Sequence, residues 1–189
     1  MNQIKKTRLL VESAVMLALT VILSYLKIPW ALGGSITVCS MLPLVFVAQR
    51  HGTKWGLFIA FIYSVIKLLL GIDNVQYATS FLMAVGIILL DYTLAFSSVG
   101  LSAVFNGVIR NRRASICAGI CLGLGLRLFF HFLSGWMIWD ALWPNELGYA
   151  SAWYSLVYNG SYMLPEIAIT IAAAMLLYKP LERYWLGKE

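Results

Sequence analysis

Long apolar segments follow one another along nearly the whole chain, and this pattern constrains the fold more than any other feature. Hydrophobic residues make up 61% of the 189 residues and charged residues only 12%, whereas soluble domains are nearer half apolar and a quarter charged. Most of the segments approach the roughly 20 residues that a helix needs to cross a bilayer. In chain order the segments are 9–27, 36–49, 55–72, 79–100, 115–139 and 152–178.

All six segments are expected to be helices, because an open strand cannot satisfy its backbone polar groups in lipid. The predicted fold is therefore an all-α integral membrane protein, a bundle of six transmembrane helices. We expect residues 1–189 to form a single transmembrane domain, since this length suits one compact unit.

The basic residues predict the orientation of the bundle. If six helices cross the membrane, four clusters of Lys and Arg lie on one side, at residues 5–8, 50–54, 110–113 and 179–188. The loops 28–35, 73–78 and 140–151 on the other side are nearly free of Lys and Arg. The positive-inside rule then places both termini in the cytoplasm. The net charge of +6 thus reflects membrane topology, and we expect no nucleic-acid partner.

Tryptophans cluster at the predicted outer ends of the spans. An interfacial aromatic belt is the ordinary interpretation of such a cluster. Its members are Trp30, Trp139, Trp143 and Trp153.

The chain lacks the common motifs of catalysis and metal binding. It contains no GxxxxGK[ST] phosphate loop, no HExxH, no GxSxG and no pair of CxxC motifs. Cys39, Cys117 and Cys121 lie in apolar segments and are predicted to be small buried side chains. We therefore expect no enzyme, no metal site and no cofactor.

The fifth segment carries polar residues at membrane depth, where a charge costs at least a few kcal/mol. In "GLRLFFHFLSGWMIWDALW", Arg127, His131, Gly135 and Trp139 are spaced four apart. On a helix these positions form one slanted stripe. Gly135 leaves a gap beside His131 where a flat ligand or another helix can come close. Upstream, the spacing of Gly119 and Gly123 favours tight helix packing.

The fourth and sixth segments add two carboxylates and an amide. Asp91 needs a partner, either Arg127 or a cationic ligand. Asn159 shares one helix face with Tyr162 and Glu166. Hydrogen bonding between helices is the alternative role for Asn159. Together with the aromatic residues nearby, this set suits a small, flat, positively charged molecule with hydrogen-bonding edges.

At this point the sequence resembles a known family, the thiamine-specific substrate-binding subunits (S-components, ThiT family) of energy-coupling factor transporters. The resemblance extends over nearly the whole chain. The segments that carry it are "ESAVMLALTVILS", "GGSITVCSMLPLVFVAQRHG", "LLDYTLAF", "FFHFLSGWMIW" and "YSLVYNGSYMLPE".

The resemblance implies a six-helix protein of the bacterial cell membrane that binds thiamine near the outer face. Such a subunit has no ATPase of its own and docks on a transmembrane coupling subunit that carries two cytoplasmic ATPases, which use the ATP. The resemblance also implies that Ala14 and Ala18 contact the coupling subunit. The family's ligand positions fall on Asp91, Tyr92, Arg127, His131, Gly135, Trp139, Tyr154 and Asn159.

Two regions depart from the family pattern. Some members have a tryptophan in the first outer loop where this chain aligns Gly34, and Trp30 is near but out of register. The region 72–80 is longer here, so the resemblance carries no site residue across it.

Two other functional classes remain at this stage. A self-sufficient transporter of a small cationic heteroaromatic molecule would be driven by protons through Asp91, His131 and Glu166. Against it, 189 residues without a repeat are few for alternating access between two halves. A membrane enzyme is the third class, and the missing catalytic motifs argue against it.

Overall fold

The fold is a helical bundle in which five long helices alternate with short structured connections. A computed structural model describes residues 3–30 and 32–185. The long helices are α1 (Gln3–Tyr25), α3 (Thr53–Leu70), α4 (Phe81–Ala103), α5 (Arg112–Leu142) and α6 (Ser151–Tyr178). Within the described residues, these five are the helices that are long and apolar enough to cross a membrane.

Shorter elements connect the long helices. An antiparallel hairpin follows α1, a short helix precedes α3, a 3-10 turn precedes α4, and a last short helix ends the described chain. These elements are β1 (Lys27–Pro29), β2 (Ser35–Thr37), α2 (Leu42–His51), the 3-10 turn Ile72–Tyr77 and α7 (Glu182–Trp185).

The prediction of one continuous helix over 36–49 is wrong. Residues Ser35–Thr37 pair with Lys27–Pro29 as strands, with Ile28 opposite Ile36. The helix then begins at Leu42, where Pro43 occupies one of the first helical positions, a place that suits proline because its missing N–H is not needed there. With ten residues, α2 extends over only about 15 Å.

Glycines make the hairpin turn. Gly33 and Gly34 have φ angles of 100° and 70°, a region that residues with a Cβ rarely adopt. Their backbones lie against the rings of Tyr158 and Tyr162 of α6, and a Cβ at either glycine would come within 2.7 Å of its ring. The turn is therefore seated on α6.

The predicted packing role of Gly119 and Gly123 is confirmed. A Cβ at Gly119 would overlap the carbonyl oxygen of Ser102 in α4. A Cβ at Gly123 would lie 3.1 Å from the carbonyl oxygen of Ser98. The close approach lets the Ser98 hydroxyl donate to the Gly123 carbonyl at 3.0 Å. The glycines thus bring α4 and α5 into backbone contact, as small residues do in membrane bundles.

Basic side chains tie several helix ends together at one end of the bundle. Arg50 donates to Glu12 of α1 at 2.8 Å and to the Tyr184 carbonyl of α7 at 2.8 Å. Arg112 donates to the Trp185 carbonyl at 3.0 Å. Of the basic residues used to predict the orientation, Lys188 lies outside the described residues.

The cysteines are less buried than predicted. Cys39 and Cys117 are half-buried, and Cys121 is exposed on the outside of the bundle. An apolar residue in a membrane helix can face either the protein core or the lipid, so its hydrophobicity does not determine its burial.

The contact between α4 and α5 gives a stability prediction. Gly119→Ala should lower the stability of the detergent-purified protein by about 1–3 kcal/mol, because the new methyl group meets backbone and not a movable side chain. The matched control is Gly125→Ala on the same helix, where a Cβ would meet nothing within 4 Å. Thermal unfolding measures both variants, and equal melting temperatures for the two would contradict this account of the packing.

Candidate functional site

A cavity of about 560 Å³ lies between the hairpin, the 3-10 turn and helices α3 to α6. Its volume is in the range of small-molecule sites. All eight residues singled out by the family resemblance line its wall, namely Asp91, Tyr92, Arg127, His131, Gly135, Trp139, Tyr154 and Asn159. The structure therefore brings together residues that are separated by up to 68 positions in the chain.

Two π-helical turns position half of these residues. One turn, Ile88–Thr93, interrupts α4 and contains Asp91 and Tyr92. The other, Gly135–Trp139, interrupts α5. An inserted π turn re-aims the side chains of a helix and is frequent at functional sites.

The Asp91 carboxylate is held by side chains of α5. The Trp139 indole N–H donates to Asp91 Oδ2 at 2.7 Å, and His131 Nδ1 lies 3.4 Å from Oδ1. The side chain of Asp91 is 14% exposed. This carboxylate can therefore still accept a contact from the cavity.

Of the two partners considered for Asp91, Arg127 is not the one, because Arg127 pairs with Glu166 of α6. Arg127 Nη1 donates to Glu166 Oε2 at 3.1 Å, and the guanidinium carbon lies 4.8 Å from the centre of the Phe96 ring. Arg127 still lines the cavity. It lies one helical turn deeper than His131, at the level where α6 presents its own carboxylate.

The gap left by Gly135 is filled by α6. A Cβ there would overlap the hydroxyl of Ser155, which donates to the Phe132 carbonyl at 2.7 Å. Two occupants were considered for this gap, a flat ligand and another helix, and the structure has the helix there.

Asn159 joins the helices and also faces the cavity. Its amide nitrogen donates to the Ser155 carbonyl at 3.0 Å and to the His131 carbonyl at 3.3 Å. Its amide oxygen accepts from the Tyr162 hydroxyl at 2.8 Å. The amide is thus fixed in orientation by its own helix and by α5.

Two of the four tryptophans at the predicted outer ends of the spans line the cavity. Trp139 and Trp143 stack with ring centres 5.5 Å apart and both line the cavity. Trp153 is 57% exposed and Trp30 is 38% exposed. Trp143 is itself 55% exposed, so it lines the cavity and also remains at the surface. The aromatic belt stays a prediction. Gly34 of the first outer loop also lines the cavity.

Several lining residues were missed. Asn74, in the region 72–80, donates to the Tyr92 hydroxyl at 2.8 Å, and that hydroxyl donates to the Gly71 carbonyl at 2.8 Å. Lys67 of α3 also lines the cavity, 6.0 Å from the centre of the Phe96 ring. A cation inside an apolar segment is itself a signal of function, and this signal could have identified Lys67.

The described part of the chain contains no group of three His, Cys, Asp or Glu side chains placed to hold a metal ion. The site's chemistry is that of a partly aromatic cavity with the Asp91 carboxylate, an oriented amide and an imidazole. A second lining carboxylate, Asp140, accepts from Ser151 and Asn145. Such a wall can bind a flat ligand by stacking and hydrogen bonding and can balance one positive charge.

Comparison with known proteins gives the family. The model of the thiamine transporter protein family (Thia_YuaJ) matches residues 10–185. The chain belongs to this family. The resemblance seen in the sequence is thereby confirmed, and the family is one of transporters and not of enzymes.

Two curated relatives are similar over almost their full lengths. The thiamine transporter ThiT of Bacillus subtilis (strain 168) is 29% identical over 193 residues, which cover 94% of each chain. The thiamine transporter ThiT of Lacticaseibacillus paracasei (strain ATCC 334) is 28% identical over 202 residues, covering 100% of this chain and 96% of the relative.

A solved structure of ThiT from Listeria monocytogenes has the same fold. It superimposes with a TM-score of 0.76 over 96% of this chain and 99% of the other, at 24% identity. The helical arrangement described above is therefore the fold of that ThiT structure.

Proposed function

We propose that this chain is the thiamine-binding membrane subunit of an ATP-driven energy-coupling factor importer. The observation that carries the proposal is the Asp91 carboxylate, held by the Trp139 N–H in an aromatic-lined cavity, in a chain of the thiamine transporter family. Thiamine has a permanent positive charge on its thiazolium ring and a flat aminopyrimidine ring. Both features suit this cavity.

The ligand set is the eight lining residues named above. Asp91 supplies the counter-charge for the thiazolium, since a buried cation needs an opposite charge or an aromatic face. Trp139 and Tyr154 supply aromatic surface. His131 and Asn159 offer hydrogen bonds to the edge of the aminopyrimidine, and Tyr92 fixes Asn74 at the rim.

For the topology, we propose six crossings with both termini in the cytoplasm of a bacterial cell. The hairpin and α2 together make the second crossing. Non-helical backbone is tolerated at membrane depth where it lines a cavity or is buried in protein, and Gly34, Ser35 and Thr37 line the cavity. Arg50 at the end of α2 and Arg112 at the start of α5 converge on the backbone of α7. This gathering of basic residues at one end supports a cytoplasmic location for that end. Residues 1–189 then form one membrane domain.

Transport also requires a partner, because the sequence contains no phosphate loop for ATP hydrolysis. We propose a transmembrane coupling subunit that carries two cytoplasmic ATPases. Ala14 and Ala18 are exposed on α1, beside the exposed apolar side chains of Val11 and Val15. Small residues four apart allow another helix to approach closely, and this supports α1 as the docking helix.

The counter-charge role of Asp91 is tested by Asp91→Asn, which keeps the shape and removes the charge. Losing a buried charge-assisted contact costs about 2–5 kcal/mol, so thiamine should bind roughly 30-fold to several-thousand-fold more weakly. A neutral isostere of thiamine, with carbon in place of the thiazolium nitrogen, should lose much less. Isothermal titration of the purified variant measures both ligands.

The matched control for this experiment is Asp73→Asn, which removes an exposed carboxylate from the 3-10 turn. It should bind both ligands as the unmodified protein does. Equal losses for thiamine and its isostere in a well-folded Asp91→Asn protein would show that Asp91 is not the counter-charge.

The need for a partner is tested in vesicles. Vesicles that hold only this chain should bind thiamine without accumulating it, and adding the coupling subunit, the ATPases and ATP should start uptake. Ala14→Trp or Ala18→Trp should abolish uptake and leave binding intact, because the indole holds the helices apart. Ala168→Trp and Ala172→Trp are matched controls, since these alanines are also exposed and four apart, but on α6.

Accumulation by this chain alone under a proton gradient would contradict the importer and favour the proton-coupled transporter. Loss of binding in the Ala14 and Ala18 variants would contradict a role confined to docking.

A further inference from the structure

Glu166 is a buried carboxylate to which the proposed binding site gives no role. It is 1% exposed and lies behind Arg127, away from the wall of the cavity. A charge in this position costs several kcal/mol unless it is paired, so its contacts should show why it is there.

Glu166 is fully engaged from two directions. Its Oε2 accepts from Arg127 Nη1 at 3.1 Å. Its Oε1 accepts from the Thr37 hydroxyl at 2.5 Å and lies 3.4 Å from the Ser40 hydroxyl. The carboxylate therefore holds a cavity-lining cation on one side and the end of the hairpin on the other.

Arg127 depends on this one acceptor. Within the described residues, Glu166 is the carboxylate that lies within 4.0 Å of the guanidinium, and the buried Arg127 Nε has no hydrogen-bond partner. Arg127 is 8% exposed. If Glu166 were neutral, the guanidinium would be a buried cation in need of another carboxylate.

The candidate at the next helical turn is Asp91, which also lines the cavity. Arg127 lies one helical turn from His131, whose Nδ1 is 3.4 Å from Asp91 Oδ1. Both Arg127 and His131 pack against the same ring, that of Phe96. An arginine side chain is long and flexible enough to move its charge by one helical turn. A released Arg127 would therefore compete with a cationic ligand for Asp91.

Lys67 adds a further cation to the wall of the cavity, so the loss of one carboxylate leaves an excess of positive charge there. It lines the cavity beside the same Phe96 ring, and no carboxylate of the described residues lies within 4.0 Å of its ammonium group. With Glu166 present, its charge offsets that of Arg127. Of the other charged lining residues, Asp140 accepts from Ser151 and Asn145, and Lys27 is exposed. Without Glu166, Arg127 and Lys67 would share Asp91, and a cationic ligand would have to compete with both.

We propose that Glu166 is a positioning residue that holds Arg127 away from Asp91 and so keeps Asp91 free for a cationic ligand. This inference rests on the proposed function, because it assumes that the ligand carries the positive charge that Asp91 balances. Glu166 acts through Arg127 and does not touch the ligand.

The test compares thiamine with its neutral isostere on the purified full chain. Glu166→Gln keeps the size of the side chain and an oxygen that can accept from Thr37. It should weaken thiamine binding about tenfold or more and isostere binding about threefold or less, because only the cation competes with the released Arg127. Glu146→Gln is the matched control, since Glu146 lies exposed in the loop before α6, and it should change neither affinity.

A double variant separates charge from structure. In Glu166→Gln/Arg127→Met both members of the ion pair are neutral, an exchange that buried pairs often tolerate. The ratio of thiamine affinity to isostere affinity should return to within about threefold of its value in the unmodified protein. This holds even if both affinities fall because Arg127 lines the cavity. This ratio decides the question also if Glu166→Gln alone does not fold.

Three results would overturn the inference. Equal losses for both ligands in Glu166→Gln would mean that Glu166 only anchors the hairpin. If the ratio of thiamine affinity to isostere affinity stays as low in the double variant as in Glu166→Gln, released Arg127 is not the competitor. An unmodified protein that binds the isostere but not thiamine would overturn the proposed function, and this inference with it.

Discussion

The cost of burying charge in an apolar bundle governs this structure. Lipid and packed side chains cannot solvate a carboxylate, so each buried charge must find a partner from another helix. Arg127 of α5 and Glu166 of α6 pair at 3.1 Å, and the same carboxylate accepts from Thr37 of the hairpin. One ion pair therefore determines how α5, α6 and the hairpin meet below the cavity, and it leaves Asp91 accessible above.

Close helix contacts set the shape of the cavity. Gly119 and Gly123 bring α5 against α4, and Gly135 brings it against Ser155 of α6. The π turns Ile88–Thr93 and Gly135–Trp139 then aim site side chains between these contacts. The helices thus touch at these glycines, while aromatic residues such as Tyr92, Trp139 and Tyr158 line the cavity.

The sequence was sufficient for the features that depend on local pattern. Hydropathy located the five long helices, and the four-residue spacing from Arg127 to Trp139 placed these residues on one stripe. The family resemblance named eight residues that the structure gathers on one wall. Hydropathy does not distinguish a buried short strand from the start of a helix, so the hairpin and the short α2 were missed.

Partners across helices could not be predicted either. Whether Arg127 meets Asp91 or Glu166 depends on the relative height and rotation of three helices, and spacing along one helix does not specify these. Asn74 was missed because it lies in the region 72–80, across which no site residue was assigned, and a 3-10 turn there brings it to Tyr92. Lys67 was missed although its charge within an apolar segment is visible in the sequence.

Titration of the detergent-purified chain with thiamine, followed by tryptophan fluorescence, tests the central claim most directly. The account predicts saturable quenching, because Trp139 lines the cavity and donates to Asp91. Most of the quenching should be lost in Trp139→Phe and retained in Trp153→Phe, whose tryptophan is 57% exposed. An absence of saturable quenching, or equal quenching in the two variants, would contradict thiamine binding beside Trp139.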